Sequence, residues 1–202
     1  MSELCVFVPL RRKYVNLKHR HLRFKRCLCF VLCEEINMKE SVYVEFIRMT
    51  DEEFRKFSKW SVRSYAKHLI KSGAQKSYIK AYFASRSEFS DVFPEGAKTS
   101  NNYLYVVKNN NNEKIGVIGY QNSPFEDNAA FVIENVIKEE FRGKGYGKSA
   151  LLKLQEDAKQ KGFSKMVLNA FKYNTVSYNM YEKCGFVVIE DYEDSVIMEK
   201  YL

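Results

Sequence analysis

Phe141-Arg142-Gly143-Lys144-Gly145-Tyr146-Gly147-Lys148-Ser149 sets three glycines at alternate positions between two very different stretches. Upstream, Ala129 to Ile137 is a long apolar run broken only by Glu134 and Asn135, which reads as a buried strand. Downstream, Ala150, Leu151, Leu154 and Ala158 recur at helical spacing, and Gly162 follows as a stop signal. A buried strand that turns directly into an amphipathic helix requires a sheet with a helix packed on its face. Glycines in the connection let several backbone N–H groups turn toward one point, and the helix N-terminus adds partial positive charge. Arg142, Lys144 and Lys148 add full charges beside it. Together they form a cradle for a pyrophosphate.

Three phosphate-binding patterns must be told apart. A Walker A loop needs four residues between its glycines before Lys-Ser, and only three separate Gly143 from Gly147. The dinucleotide fingerprint G-x-G-x-x-G would need glycine at position 148, where Lys148 stands. The pattern [RQ]-x-x-G-x-[GA] fits without adjustment at Arg142, Gly145 and Gly147. The plain alternative is a glycine-rich strand-to-helix turn with no ligand.

The remaining chain falls into elements by the same reading. Tyr43 to Met49 alternates as a strand. Thr50-Asp51-Glu52-Glu53 is a capping box, so a helix should follow, with Phe54, Phe57, Tyr65, Ala66, Leu69 and Ile70 on its buried face and Gly73 at its end. A second helix is expected over 75–89 and a loop over 91–101. Tyr103 to Val107 and Ile115 to Tyr120 should form a hairpin across the Asn109 to Asn112 turn. After the glycine loop come a short strand over 166–168, a helix over 175–183 and strands over 186–189 and 196–198. The order is β-α-α-β-β-β-α-β-α-β-β, a mixed α/β fold with a largely antiparallel first half.

Composition divides the chain. Of its 202 residues and net charge of +8, residues 1–37 hold eight Lys/Arg against three acids, or +5. Residues 38–202 hold 25 against 22, or only +3. The first 37 residues also carry Cys5, Cys27, Cys29, Cys33, His19 and His21. Their basic stretch and short apolar patch lack a signal-peptide cleavage site. The H-x-H and C-x-C-x₃-C spacings match no common zinc site, and no metal is expected. A basic arm for nucleic acid is compatible with the charge but weakly indicated. The preferred reading is a basic, Cys-rich extension from an over-extended start, with the working domain at 38–202. That domain holds only Cys184, so a reducing, cytoplasmic setting follows. No apolar run approaches the ~18–20 residues needed to cross a bilayer.

Three features in order resemble the GNAT N-acetyltransferase superfamily, specifically over Ala129 to Leu202 and loosely from Met38 to Asn128. They are the strand running into Arg142-Gly143-Lys144-Gly145-Tyr146-Gly147, the helix led by Asn174, and Tyr181-Glu182-Lys183-Cys184-Gly185-Phe186. The long helical insertion with its Phe93-Pro94-Glu95-Gly96 loop is similar to small uncharacterised bacterial members. The resemblance implies a mainly antiparallel mixed sheet with splayed central strands flanked by helices. It implies acetyl-CoA as donor, with the pyrophosphate on the amides of 143–148 and the pantetheine arm along Val136 and Ile137. Asn174 would meet the cofactor beyond the pantetheine, and Tyr181 would face the thioester sulfur. The expected activity is direct transfer of acetyl to a primary amine in a ternary complex. The acceptor would be a small molecule or a protein, and a homodimer is permitted. A membrane partner is not expected, and a nucleic acid is disfavoured.

The chemistry asks for a base, because an alkylamine with a pKa near ~10.4 is mostly protonated at neutral pH. Glu134 is the leading candidate, since burial in an apolar strand would push its carboxyl upward. It could instead anchor the amine, or sit on an outward pleat position. Some relatives carry Glu or His five residues before the helix Asn; here that residue is Asn169, which is no base. Tyr181 is the candidate acid for the leaving thiolate, with a core packing role as its alternative. Cys184, beside a helix C-terminus, is better suited to packing than to carrying an acyl group. His68 has no partner pattern and reads as a surface or core residue. The rival function is a non-catalytic acyl-CoA-binding or sensing module.

Overall fold

The computed structural model describes residues 42–202. The extension at 1–37 and every expectation attached to it lie outside the described residues. The elements are β1 (Glu45–Arg48), α1 (Asp51–Lys71), α2 (Tyr78–Val92), β2 (Asn102–Lys108), β3 (Lys114–Asn122), β4 (Ala129–Ile137), α3 (Tyr146–Gln160), β5 (Lys165–Phe171), α4 (Thr175–Lys183), β6 (Val187–Asp191) and β7 (Ser195–Tyr201). Their order is the expected one. Short 3-10 turns at Gly96–Lys98 and Glu139–Phe141 add to it.

One seven-stranded sheet runs β1-β2-β3-β4-β5-β7-β6. Every neighbouring pair is antiparallel except β4 and β5. That parallel pair is short: Ala129, Ala130 and Phe131 oppose Lys165, Met166 and Val167, and pairing then stops although both strands continue. The central strands therefore splay. The cause lies in the β3–β4 register, where Gly119 faces Glu134 and Tyr120 faces Val132, leaving Ile133 as a bulge. A bulge bends its strand and sharpens its twist, here swinging the end of β4 away from β5.

Each sheet face buries its own core. α3 and α4 close one face through Ala150, Leu151, Leu154, Ala158 and Tyr181 against Ile118, Tyr120, Val132, Met166 and Leu168. α1 and α2 close the other through Phe54, Phe57, Tyr65, Leu69 and Phe89 against Phe131, Ile133, Val167 and Phe171. Each such large apolar side chain contributes about 1.5–3 kcal/mol when fully buried. Tyr105 and Tyr120 both donate to Asp157 Oδ2, at 3.1 and 2.8 Å, tying β2 and β3 to α3. Burial and the neighbouring carboxylate push both phenols upward.

The capping box forms as read. Glu53 N–H donates to Thr50 Oγ1 at 3.3 Å, and Thr50 N–H donates to Glu53 Oε2 at 2.9 Å. Glu53 also accepts from Lys114 Nζ at 2.6 Å, fastening the first turn of α1 to β3. The Lys114 and Thr50 bonds hold the Glu53 carboxyl down at about 2.

Candidate active site

The glycine loop has the conformation its sequence demands. Gly143 and Gly145 lie at φ +74° and +86°, a region that costs other residues roughly 1–2 kcal/mol. The first turn bond of α3 runs from Ser149 N–H to Gly145 O at 3.1 Å, so the amides before Ser149 lack helical acceptors. Gly143, Lys144 and Gly145 are exposed, leaving this helix end open to solvent.

The charged residues beside the loop divide their work. Arg142 Nε donates to Ile137 O at 2.8 Å, which pins the loop to the end of β4. Lys144 Nζ donates to Glu140 O at 3.1 Å and lies 5.5 Å from the Phe141 ring centre. Lys148 lies near enough to Cys184 to pull its thiol downward, but burial outweighs this and the thiol is pushed up. A buried thiol held protonated is a poor nucleophile, which agrees with a packing role.

Three elements converge on the loop. A methyl group at Gly147 would meet Met180 Sδ of α4 at 3.4 Å and Ile137 Cγ1 of β4 at 3.8 Å. Met180 precedes Tyr181, which is wholly buried and meets the Phe186 ring edge-on at 6.0 Å between centres. Asn174 is the N-cap of α4, accepting from Ser177 N–H at 3.4 Å; this is the local reason for an Asn at that position. Val136 and Ile137 pair with Val117 and Gly116 of β3 but with nothing in β5.

Glu134 lies on the other face. The bulge puts Ile133 with the α1–α2 core, and Glu134 follows it there, accepting from Ser61 Oγ of α1 at 3.3 Å. Glu134 is 1% exposed. Glu134 and Tyr181 thus lie on opposite faces of the sheet, the former with α1 and the latter with the core under α3.

The sequence reading assigns no site role to several polar residues near the splay. Asn135 is buried with both amide atoms unpartnered among the described residues, and so is Asn169 Oδ1. Between Val167 and Phe171, Asn169 shares their α1-facing side. Ser61, Ser64 and His68 line the inner face of α1. His68 is buried, parallel to Phe171 at 5.7 Å, and its Nδ1 is hydrogen-bonded to Tyr173 Oη. Spacing by three and four from Phe57 would have placed all three on that face, but serines at such positions look like surface residues until Glu134 is seen opposite. Among the described residues no His/Cys/Asp/Glu group could hold a metal, and no helix is long and apolar enough to cross a membrane.

The comparisons with known proteins bear on the family and the fold. The model of the acetyltransferase (GNAT) family matches residues 54–186. The uncharacterised N-acetyltransferase YycN of Bacillus subtilis is 31% identical over 155 residues, covering 76% of this chain and 96% of YycN. The uncharacterised N-acetyltransferase YdgE of the same organism is 31% identical over 141 residues, covering 69% of this chain and 89% of YdgE. The crystal structure of YycN aligns with a TM-score of 0.70 at 28% identity, covering 74% of this chain and 96% of that one. The PaiA N-acetyltransferase of Thermoplasma acidophilum, solved with coenzyme A, shares the fold at TM-score 0.57 and 20% identity, over 79% of this chain and 99% of that one. The chain belongs to the GNAT family of acetyltransferases and is an N-acetyltransferase.

Proposed function

We propose that the protein acetylates a primary amine by direct transfer from acetyl-CoA in a ternary complex. The observation that carries this is the splay between β4 and β5, with Glu134 on one face and Tyr181 with the glycine loop on the other. Amine and donor can then meet in the gap from opposite sides.

The residues fit acetyl-CoA. The outward amides of 143–148 and the cations Arg142, Lys144 and Lys148 suit its pyrophosphate. The β5-facing edge of β4 at Val136 and Ile137 and the buried amide of Asn135 suit the amide-bearing pantetheine arm. Asn174 holds the N-terminus of α4 and so fixes Tyr181. Acetyl-CoA supplies an activated acetyl thioester. Glu134 takes a proton from the incoming ammonium, directly or through water, so that the nitrogen has a free lone pair. Tyr181 Oη gives a proton to the departing sulfur as the C–N bond forms and the C–S bond breaks, and the second proton that the nitrogen sheds on becoming an amide restores the phenol through water. Ser61 orients Glu134, and Asn169 Oδ1 offers a hydrogen-bond acceptor to the amine's remaining N–H. Holding both reactants in the gap contributes several kcal/mol, about 7–11 at best.

Initial rates with both substrates varied test the order of events. Intersecting lines in double-reciprocal plots are the expected result. Parallel lines, with a labelled acetyl group trapped on Cys184, would replace direct transfer by an acyl-enzyme route.

A further inference from the structure

α1 presents two contrasting faces. The buried one carries Ser61, Ser64, Tyr65 and His68. The exposed one carries Lys56, Lys59, Arg63 and Lys67 at three- and four-residue spacings, spanning about 16 Å of helix. With Trp60 and Ser64 these four cations line a groove of about 240 Å³. Lys56 pairs with Glu52 at 2.7 Å, but Lys59, Arg63 and Lys67 have no ion pair among the described residues. Like charges four residues apart destabilise a helix, so Lys59–Arg63–Lys67 works against the local fold.

The groove belongs to the acceptor side of the enzyme. α1 stands on the sheet face opposite α3, so these cations are not those of the pyrophosphate cradle. Val62 O accepts from Ser85 Oγ of α2 at 2.8 Å, which assigns that flank of α1 to α2. Ser64 lies roughly 200° round the helix from Val62, on the other flank. It joins the groove to the buried face, one turn from Ser61 and its bond to Glu134. Trp60, 38% exposed, precedes Ser61 and offers a ring at the same end.

We infer that the acceptor is an amine on an acidic peptide segment, whose carboxylates lie along Lys59, Arg63 and Lys67 while its amine reaches Glu134. This rests on the amine-acetylation reading above. A groove cationic along its length repels a polyamine or a lysine-rich peptide and attracts carboxylates. Its length matches about five residues of extended chain at ~3.3 Å each, more than a single small acid would use.

The test compares three peptides of equal length, each with a single primary amine at its N-terminus, followed by Asp/Glu, by Ser/Gly or by Arg, together with spermidine. Release of free thiol from acetyl-CoA is the readout. The expected kcat/KM for the acidic peptide exceeds that for the neutral one tenfold or more, with the arginine peptide and spermidine below both. The advantage shrinks as salt is raised, because exposed charges are screened. In Lys59→Glu/Arg63→Glu/Lys67→Glu the acidic-to-neutral ratio falls to one or below. The milder Lys59→Gln/Arg63→Gln/Lys67→Gln gives an intermediate ratio, and CoA affinity reports that each variant is folded. Equal rates for the three peptides, a preference for spermidine, or a ratio unmoved by either variant overturns the inference while leaving acetyl transfer standing. No thiol release with any of the four overturns the acetylation reading and the inference with it. A DNA or RNA oligonucleotide that binds more tightly than the acidic peptide, and loses its affinity in the triple variant, also overturns it in favour of nucleic acid.

Discussion

Alanine at each glycine of the loop separates three physical effects in adjacent residues. At Gly145 a side chain must accept φ +86°, and its Cβ would lie 3.1 Å from Val42 Cγ2. The left-handed backbone alone costs about 1–2 kcal/mol, and the contact adds to it. For a chain of this size each kcal/mol lowers Tm by about 2–4 °C, so the backbone cost alone is about 2–8 °C and Gly145→Ala should melt lower by the upper end of that range. Gly143, at φ +74° with no atom within 4 Å of its Cβ position, pays only the backbone cost and should fall at the lower end of that range. Gly147 has no positive φ, and its Cβ would meet Met180 Sδ and Ile137 Cγ1 at 3.4 and 3.8 Å, which are ordinary contacts. In the first turn of a helix alanine replaces glycine at a gain of up to about 1 kcal/mol, so Gly147→Ala should melt at or above the parent. Thermal unfolding gives this order, and calorimetric titration with CoA gives its counterpart. Affinity should fall about tenfold in Gly143→Ala and Gly145→Ala, where the amides are re-aimed, and change little in Gly147→Ala. If Gly147→Ala loses as much stability and affinity as Gly145→Ala, or if Gly145→Ala loses neither, the loop is not shaped by its left-handed glycines and the cradle argument fails.

Other substitutions address the chemistry and the frame. Glu134→Gln should lower kcat by about 100-fold with CoA affinity retained; a kcat within threefold of the parent removes Glu134 as base. Tyr181→Phe should lower kcat tenfold or more with CoA bound as before, measured in single turnovers; an unchanged rate confines Tyr181 to packing. Thr50→Ala should cost about 1 kcal/mol, and a melting point within 1 °C of the parent would show that the box contributes nothing. Acid titration should show the same corner of the fold. The folded Glu53 carboxyl sits at about 2, below its ordinary value of 4.5, so its stabilisation is full above that value and is lost as pH falls toward 2. Lys114→Met should flatten this part of the acid-unfolding curve.

The cradle was legible because it is local: three glycines, a strand before and a helix after settle the backbone within ten residues. The apolar run delimits β4 to its last residue, Glu134 included, but does not show its bulge at Ile133. That bulge depends on Gly119 and Tyr120 of another strand, and it decides both the splay and the face on which Glu134 lies. The apolar pattern marks β5 only over 166–168, whereas the strand runs Lys165–Phe171, because Asn169 interrupts the pattern while pairing with Ile197 of β7. The second helix is shifted from 75–89 to Tyr78–Val92; Ser77 at its start makes no side-chain cap bond, so the start signal was weak. The aromatic residues from Trp60 to Phe93 divide between core and surface. Tyr65, Phe89 and Phe93 are core, whereas Tyr78 and Phe83 are exposed.

The most direct measurement follows free thiol and acetylated amine together when the full chain is incubated with acetyl-CoA and an excess of primary amine. Equal amounts of both products, formed only with all three components present, are expected, with a rate that collapses in Glu134→Gln. CoA binding with no thiol released above the spontaneous rate, for amines of every charge, would contradict this expectation and leave a binding module in place of an enzyme.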